Sequence, residues 1–212
     1  CVLCPWLGCF GALKGHMVYL GIYLAYALHV FVWRLCELVW LTHAPLGHAL
    51  ADAGIGLVFG GGSVGLMGAV ADAVLERGGE VIGVIPEKLQ DLELGHTGCT
   101  ELHVVDTMHV RKQMMMDFSD GFIAMPGGYG TLEELFEVVT WAQLNYHRKP
   151  VALYNVAGFY NHLVAFVQHA VDQGFVREEL RHLIAVGETP EEVLAKLSQA
   201  TVPDLESWLS VD

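Results

Sequence analysis

Three features of this 212-residue sequence predict an α/β fold built on a Rossmann-like, doubly wound parallel sheet with helices on both faces. From Pro45 onward, short runs rich in β-branched and aromatic residues alternate with helical patterns. The short runs are apolar throughout, as strands buried on both faces must be. Two of them empty into glycine-rich turns that lead at once into a helix, the place where open parallel sheets bind ligands.

In chain order, the strand candidates are Gly56–Phe59, Val81–Ile85, Leu102–Val105, Phe122–Met125, Val151–Tyr154 and Leu183–Val186. Between and after them lie helical stretches at Leu66–Arg77, Met108–Phe118, Leu132–Tyr146, Phe159–Gln173 and Pro190–Ser198. Gly78-Gly79 and Gly174 stand where helices should stop, because glycine enters the left-handed conformation that ends a helix. The chain contains no internal repeat and no low-complexity linker. It divides into an atypical apolar segment at 1–45, a Rossmann-like α/β domain at 46–200 and a tail at 201–212.

Composition narrows the function. A hydrophobic content of 53 % with 24 glycines excludes disorder and collagen-like repeats, and the length suffices for one substantial core. The formal charge of −13, with only 11 lysines and arginines, argues against wrapping nucleic acid, which needs clustered cations. An anionic small molecule would be held locally, by backbone N–H groups and one or two arginines. Five cysteines make an odd set, which reads as reduced thiols and a cytoplasmic setting. Cys1, Cys4, Cys9 and His16 match no zinc spacing, so no metal is expected.

Residues 17–33 are almost continuously apolar, broken only by His29. The stretch is a borderline membrane span, and also reads as a buried helix or as a signal sequence with Lys14 as its basic flank. A further reading makes residues 1–45 foreign to the fold, through a frameshift near Trp33-Arg34-Leu35. Membrane attachment is not expected, and function is read from Pro45 onward.

The first glycine turn, Gly60-Gly61-Gly62-Ser63-Val64-Gly65-Leu66-Met67-Gly68, contains G-x-G-x-x-G between a strand and a helix. Glycines let the backbone approach an anion, and the helix N-terminus adds partial positive charge. Gly61, Gly62, Ser63 and Met67 are its candidate nucleotide contacts. Glu87, just past the next strand, stands where a ribose-binding acid falls in a dinucleotide-binding protein, so an NAD-dependent oxidoreductase is one alternative. A tight turn without a ligand is another.

The second turn, Pro126-Gly127-Gly128-Tyr129-Gly130-Thr131, follows strand Phe122–Met125 and would face the same crevice. Thr131 and Glu134 also have the spacing of a helix-capping box, which would account for both residues without chemistry. Three preceding glycines exceed what a cap requires.

Residues 126–134, Pro-Gly-Gly-Tyr-Gly-Thr-Leu-Glu-Glu, resemble the PGGxGTxxE motif of the Lonely Guy (LOG) family, long mislabelled as lysine decarboxylases. Met108-His109-Val110-Arg111-Lys112 resembles that family's MHxRK motif, and the first turn is similar to its glycine loop. The resemblance runs from about Leu46 to Ala200. The opening family strand that ends in Cys-Gly-Ser has no counterpart in the sequence.

The resemblance implies hydrolysis of the N-glycosidic bond of a nucleoside 5′-monophosphate, AMP or an N6-modified (cytokinin) AMP, to free base and ribose 5-phosphate, with no cofactor. Cleavage builds positive charge on the ribose ring, which a carboxylate stabilises. Glu134 is the candidate for that role, and Arg111, paired with it in the family, would orient and stabilise as a permanent cation. Gly128, Gly130 and Thr131 would cradle the phosphate with Tyr129, Leu132 and Glu133 beside them, and Glu93, Lys112 and Thr140 would also touch the substrate. Glu93 falls in what reads as a polar loop, Asp91–Thr97. His109 reads equally as a buried histidine or a ligand contact, and Met114, Met115 and Met116 as core or interface packing. The resemblance also implies a homodimer or larger homo-oligomer. A non-catalytic nucleotide-binding module on the same fold is the principal rival; it would need the glycines but not the Arg111–Glu134 pair. Lysine decarboxylation is rejected, because no lysine sits in a cofactor-anchoring context.

Overall fold

The computed structural model describes residues 43–93 and 95–200. The apolar stretch at 17–33, the cysteines of the suggested metal knuckle and the tail at 201–212 lie outside the described residues. Six strands form: β1 (Leu57–Phe59), β2 (Val81–Pro86), β3 (Glu101–Val105), β4 (Phe122–Ala124), β5 (Val151–Tyr154) and β6 (Ile184–Gly187). The helices are α1 (Ala44–Asp52), α2 (Leu66–Glu76), α3 (Glu87–Glu93), α4 (Met108–Phe118), α5 (Tyr129–Gln143), α6 (Asn161–Asp172) and α7 (Pro190–Gln199). Every pairing between strands is parallel, as the continuously apolar runs require. Gly78 and Gly174 follow α2 and α6 with φ of +71° and +77°, ending both helices as expected.

Alternate residues of β5 show how the layers divide. Ala152 and Tyr154 face one cluster with Leu46 and Leu50 of α1, Ala71 and Val74 of α2, and Val193 of α7. Val151 and Leu153 face the opposite cluster with Leu135 of α5 and Tyr160. Successive strand side chains point to opposite faces, so both faces of β5 must be covered by helices. Phe59 and Val81 join Ala152 and Tyr154 in the first cluster, so one core layer reaches across both three-stranded halves.

The strands come as two three-stranded halves, ordered β1-β2-β3 and β4-β5-β6. Among the described residues, β1 and β4 are edge strands that do not pair with each other. Between them lies a cavity of about 690 Å³, lined by Leu57 and Val58 from one edge and by Ile123 and Ala124 from the other.

Two helices were not anticipated. Helix α1 starts with Pro45 in its first turn and buries Leu46 and Leu50 on one stripe. Helix α3 takes Glu87 as a first-turn acid, favoured by the helix dipole. The reading of 91–97 as a polar loop is thereby corrected: Glu93 is the last residue of α3, and its side chain lies outside the described set.

Candidate active site

Thr107 caps α4 by accepting the Val110 N–H at 3.2 Å, and the next turn carries Arg111 inward. Arg111 is buried at 9 % exposure, unusual for a permanent cation unless it is partnered. Its Nε donates to the carbonyl of Val84 at the heart of β2 (3.2 Å), and its Nη1 donates to Glu134 Oε1 (3.2 Å). A Cβ at residue 60 would stand 2.1 Å from Nη2, so the guanidinium packs directly against the backbone of the first glycine turn. Only glycine leaves that space.

The second turn delivers the carboxylate. Helix α5 begins at Tyr129 with Gly128 as its N-cap, and no side chain caps it. That corrects the capping-box reading: Thr131 is already inside the helix, and Glu134 lies nearly two turns in, where it reaches Arg111 instead of the backbone. The first intrahelical bond runs from Leu132 N–H to Gly128 C=O, leaving the N–H groups of Tyr129, Gly130 and Thr131 unused by the helix ladder. Gly128 and Gly130 have open space where a side chain would stand, and both are exposed. Thr131 folds its side chain against Gly127, where a Cβ would lie 2.2 Å from Oγ1. The result is an uncapped, positively polarised helix start beside the Arg111–Glu134 pair, suited to a phosphate.

The electrostatics are uneven. Burial pushes the Glu134 carboxyl above the usual glutamate range, and Arg111 beside it pulls in the opposite direction without prevailing. Lys112 donates to Glu133 Oε1 (2.7 Å) and Glu137 Oε1 (2.9 Å), and these two bonds hold its ammonium above the usual lysine range. Glu133 is exposed and its contact is with Lys112. Arg111 and Lys112 thus join α4 to α5 through three carboxylates.

The structure brings together Arg111, Glu134, Lys112, Glu133 and Thr131, with Gly60 of the first turn against the guanidinium. Gly61 and Gly62 are buried in the first turn, Ser63 is exposed, and Met67, partly exposed, brings its sulfur against Gly60 near the Arg111 guanidinium. Thr140 is exposed and lies six residues beyond Glu134, roughly 9 Å along the helix axis and on another face. His109 is exposed, so the buried-histidine reading does not hold. Met116 is buried and Met114 and Met115 are half-buried, in keeping with packing. Glu87 is exposed at the start of α3, where it serves the helix.

Two supporting residues escaped the sequence reading. His96 donates its backbone N–H to Gly61 C=O (2.8 Å), and its buried ring pairs through Nε2 with Asp72 of α2 (3.0 Å), tying the first turn down. Tyr160 hydrogen-bonds to the carbonyl of Met125 at the foot of the second turn (2.5 Å). Neither lies in a motif; the one local hint was a histidine next to Gly95 in a short polar run.

The sequence profile of a family described as "Possible lysine decarboxylase" matches residues 67–197. The chain is 50 % identical over 167 residues to a rice (Oryza sativa subsp. japonica) protein, "Cytokinin riboside 5'-monophosphate phosphoribohydrolase LOG", covering 79 % of this chain and 69 % of that one. The chain belongs to the LOG family. A second rice protein of the LOG family, a "Probable cytokinin riboside 5'-monophosphate phosphoribohydrolase", is 52 % identical over 154 residues, covering 73 % of this chain and 63 % of its own length. Among solved structures, a molybdenum cofactor carrier protein of Chlamydomonas reinhardtii superposes with a TM-score of 0.57 at 23 % identity, over 77 % of this chain and 87 % of that one. That likeness concerns the fold alone.

Proposed function

We propose that this LOG-family chain hydrolyses the N-glycosidic bond of a nucleoside 5′-monophosphate, AMP or an N6-modified AMP, releasing free base and ribose 5-phosphate. The observation that carries the proposal is the Arg111–Glu134 pair at 3.2 Å, held between the two glycine turns. A nucleotide carrier needs a phosphate cradle but has no use for a half-buried carboxylate braced by a buried arginine. The N–H groups of Tyr129, Gly130 and Thr131 take the 5′-phosphate. As the bond from C1′ to the base nitrogen lengthens, positive charge grows on the ribose and the Glu134 carboxylate stabilises it. Water adds its oxygen to C1′, and its proton balances the departing base. Arg111 keeps the carboxylate aimed and acts as a fixed charge, since guanidinium does not exchange protons near neutrality.

The direct test is incubation with AMP and isopentenyl-AMP and assay of free base. Wild type is expected to release base, and Glu134→Ala or Arg111→Ala to abolish release. Turnover that survives both substitutions overturns the mechanism, and nucleotide binding without turnover favours the carrier.

A homodimer, through the outer stripe of α5, belongs to the same proposal. Tyr129 (94 % exposed), Phe136 (41 %) and Leu144 (44 %) recur at helical spacing along it, a large apolar face for water to cover. A reducing, cytoplasmic setting belongs to the same proposal, on the odd set of five cysteines in the sequence.

A further inference from the structure

Tyr160 lies outside both glycine turns and both charged motifs, yet its side chain reaches the second turn from below. Its ring is buried, 2 % exposed, beside Leu135, Val151 and Leu153. Its hydroxyl donates to the carbonyl of Met125, the residue between β4 and Pro126. Burial pushes that hydroxyl's pKa up to about 12, so it remains a donor throughout the working range.

The backbone that presents Tyr160 is itself held in place. Asn155, 4 % exposed at the end of β5, accepts the Tyr160 N–H on Oδ1 (2.6 Å) and donates from Nδ2 to Asn161 Oδ1 (2.8 Å). Its own N–H donates to Gly187 C=O at 2.7 Å, tying the turn to β6. Between them Ala157 adopts φ of +51°, a strained value for a residue with a side chain, which persists only where the surroundings enforce it. A strained turn and a buried amide thus converge to aim one hydroxyl at one carbonyl.

We propose that Tyr160 is a positioning residue for the phosphate-binding turn, its bond to the Met125 carbonyl holding residues 125–128 in the shape that presents the N–H groups of Tyr129, Gly130 and Thr131 to the phosphate. The inference rests on the nucleotide-binding reading above. The phosphate is held equally in substrate and transition state, so a displaced cradle loses uniform binding and not the chemical step.

The test compares Tyr160→Phe, which keeps the ring and removes one hydrogen bond, with Leu163→Ala, which empties space in the same cluster without touching the turn. The readouts are kcat and KM for AMP, Kd for AMP by calorimetry, and Tm. Tyr160→Phe is expected to raise both KM and Kd roughly fivefold, the equivalent of one net hydrogen bond, with kcat within twofold of wild type. Leu163→Ala is expected to lower Tm at least as much while leaving KM and Kd unchanged. Unchanged KM and Kd in Tyr160→Phe, or equal rises in both variants, overturn the proposal. A wild type that binds AMP without turnover defeats the hydrolase reading alone, and the Kd comparison then decides the role of Tyr160.

Discussion

A methyl group at residue 60 would stand 2.1 Å from Nη2 of Arg111, and the obstacle is the far end of a flexible side chain, not backbone. Gly60→Ala is therefore expected to expel the guanidinium from its pocket at little cost to the fold. Tm should fall by only a few degrees, while kcat/KM for AMP drops at least about tenfold as Glu134 loses its brace. Circular-dichroism melting and a base-release assay on the same sample separate the two effects. The carboxylate itself gives a pH signature. Its pKa is raised above the ordinary 4.5, so it takes up a proton at higher pH than a free glutamate does. The ionised form stabilises the oxocarbenium, so kcat/KM, which reports the free enzyme, should fall as pH is lowered through that raised value. An acidic limb at or below 4.5 would contradict this assignment. Glu134→Gln, which keeps the shape and removes the charge, is expected to lower kcat by about 10²–10³ at neutral pH, measured by steady-state kinetics.

At the scale of elements, α4 and α5 are joined almost wholly by charge across the site. Lys112 is 13 % exposed and satisfies Glu137, 23 % exposed, so its removal leaves a sheltered carboxylate without its cation. Lys112→Met is expected to cost roughly 1–2 kcal/mol, between the values for exposed and for fully buried ion pairs, read as a shift of the urea midpoint. A midpoint within error of wild type would show that solvent screens this pair completely. The elements themselves were legible because parallel strands covered on both faces must be written as unbroken apolar runs, and all six candidates became strands, including β3, whose run is broken by His103 and which lies at the end of its half-sheet. The start of α5 was not. Thr131 and Glu134 satisfy the local capping pattern, but the preceding glycines let the helix begin at Tyr129, and Arg111, 23 residues upstream of Glu134, claims the carboxylate. Helix α3 was read as loop because its seven residues carry mixed polar side chains with little periodicity.

For the whole molecule, the outer stripe of α5 is an apolar face that a single chain leaves exposed to water, with Tyr129, Phe136 and Leu144 along it. Phe136→Glu is expected to convert a dimer to a monomer in sedimentation equilibrium, since an interface core does not accept an unpaired charge. A monomeric wild type would remove the proposal. Thr140, named by the family resemblance, shares that stripe by helical spacing and points away from the Arg111–Glu134 pair of its own chain. Among the described residues no helix is long and apolar enough to cross a membrane, and the apolar stretch at 17–33 lies outside them. By itself the sequence determined the parallel α/β class and both glycine turns, because each is written in consecutive residues whose geometry is local, while Arg111 and Glu134 stood out as candidates through the family resemblance. Only the tertiary structure decided that Gly60 makes room for the guanidinium, that Glu134 serves Arg111 and not its own helix end, and that His96 and Tyr160 hold the two turns. Those contacts join residues distant in the chain, where side-chain volume and the need to partner buried polar groups select the neighbours.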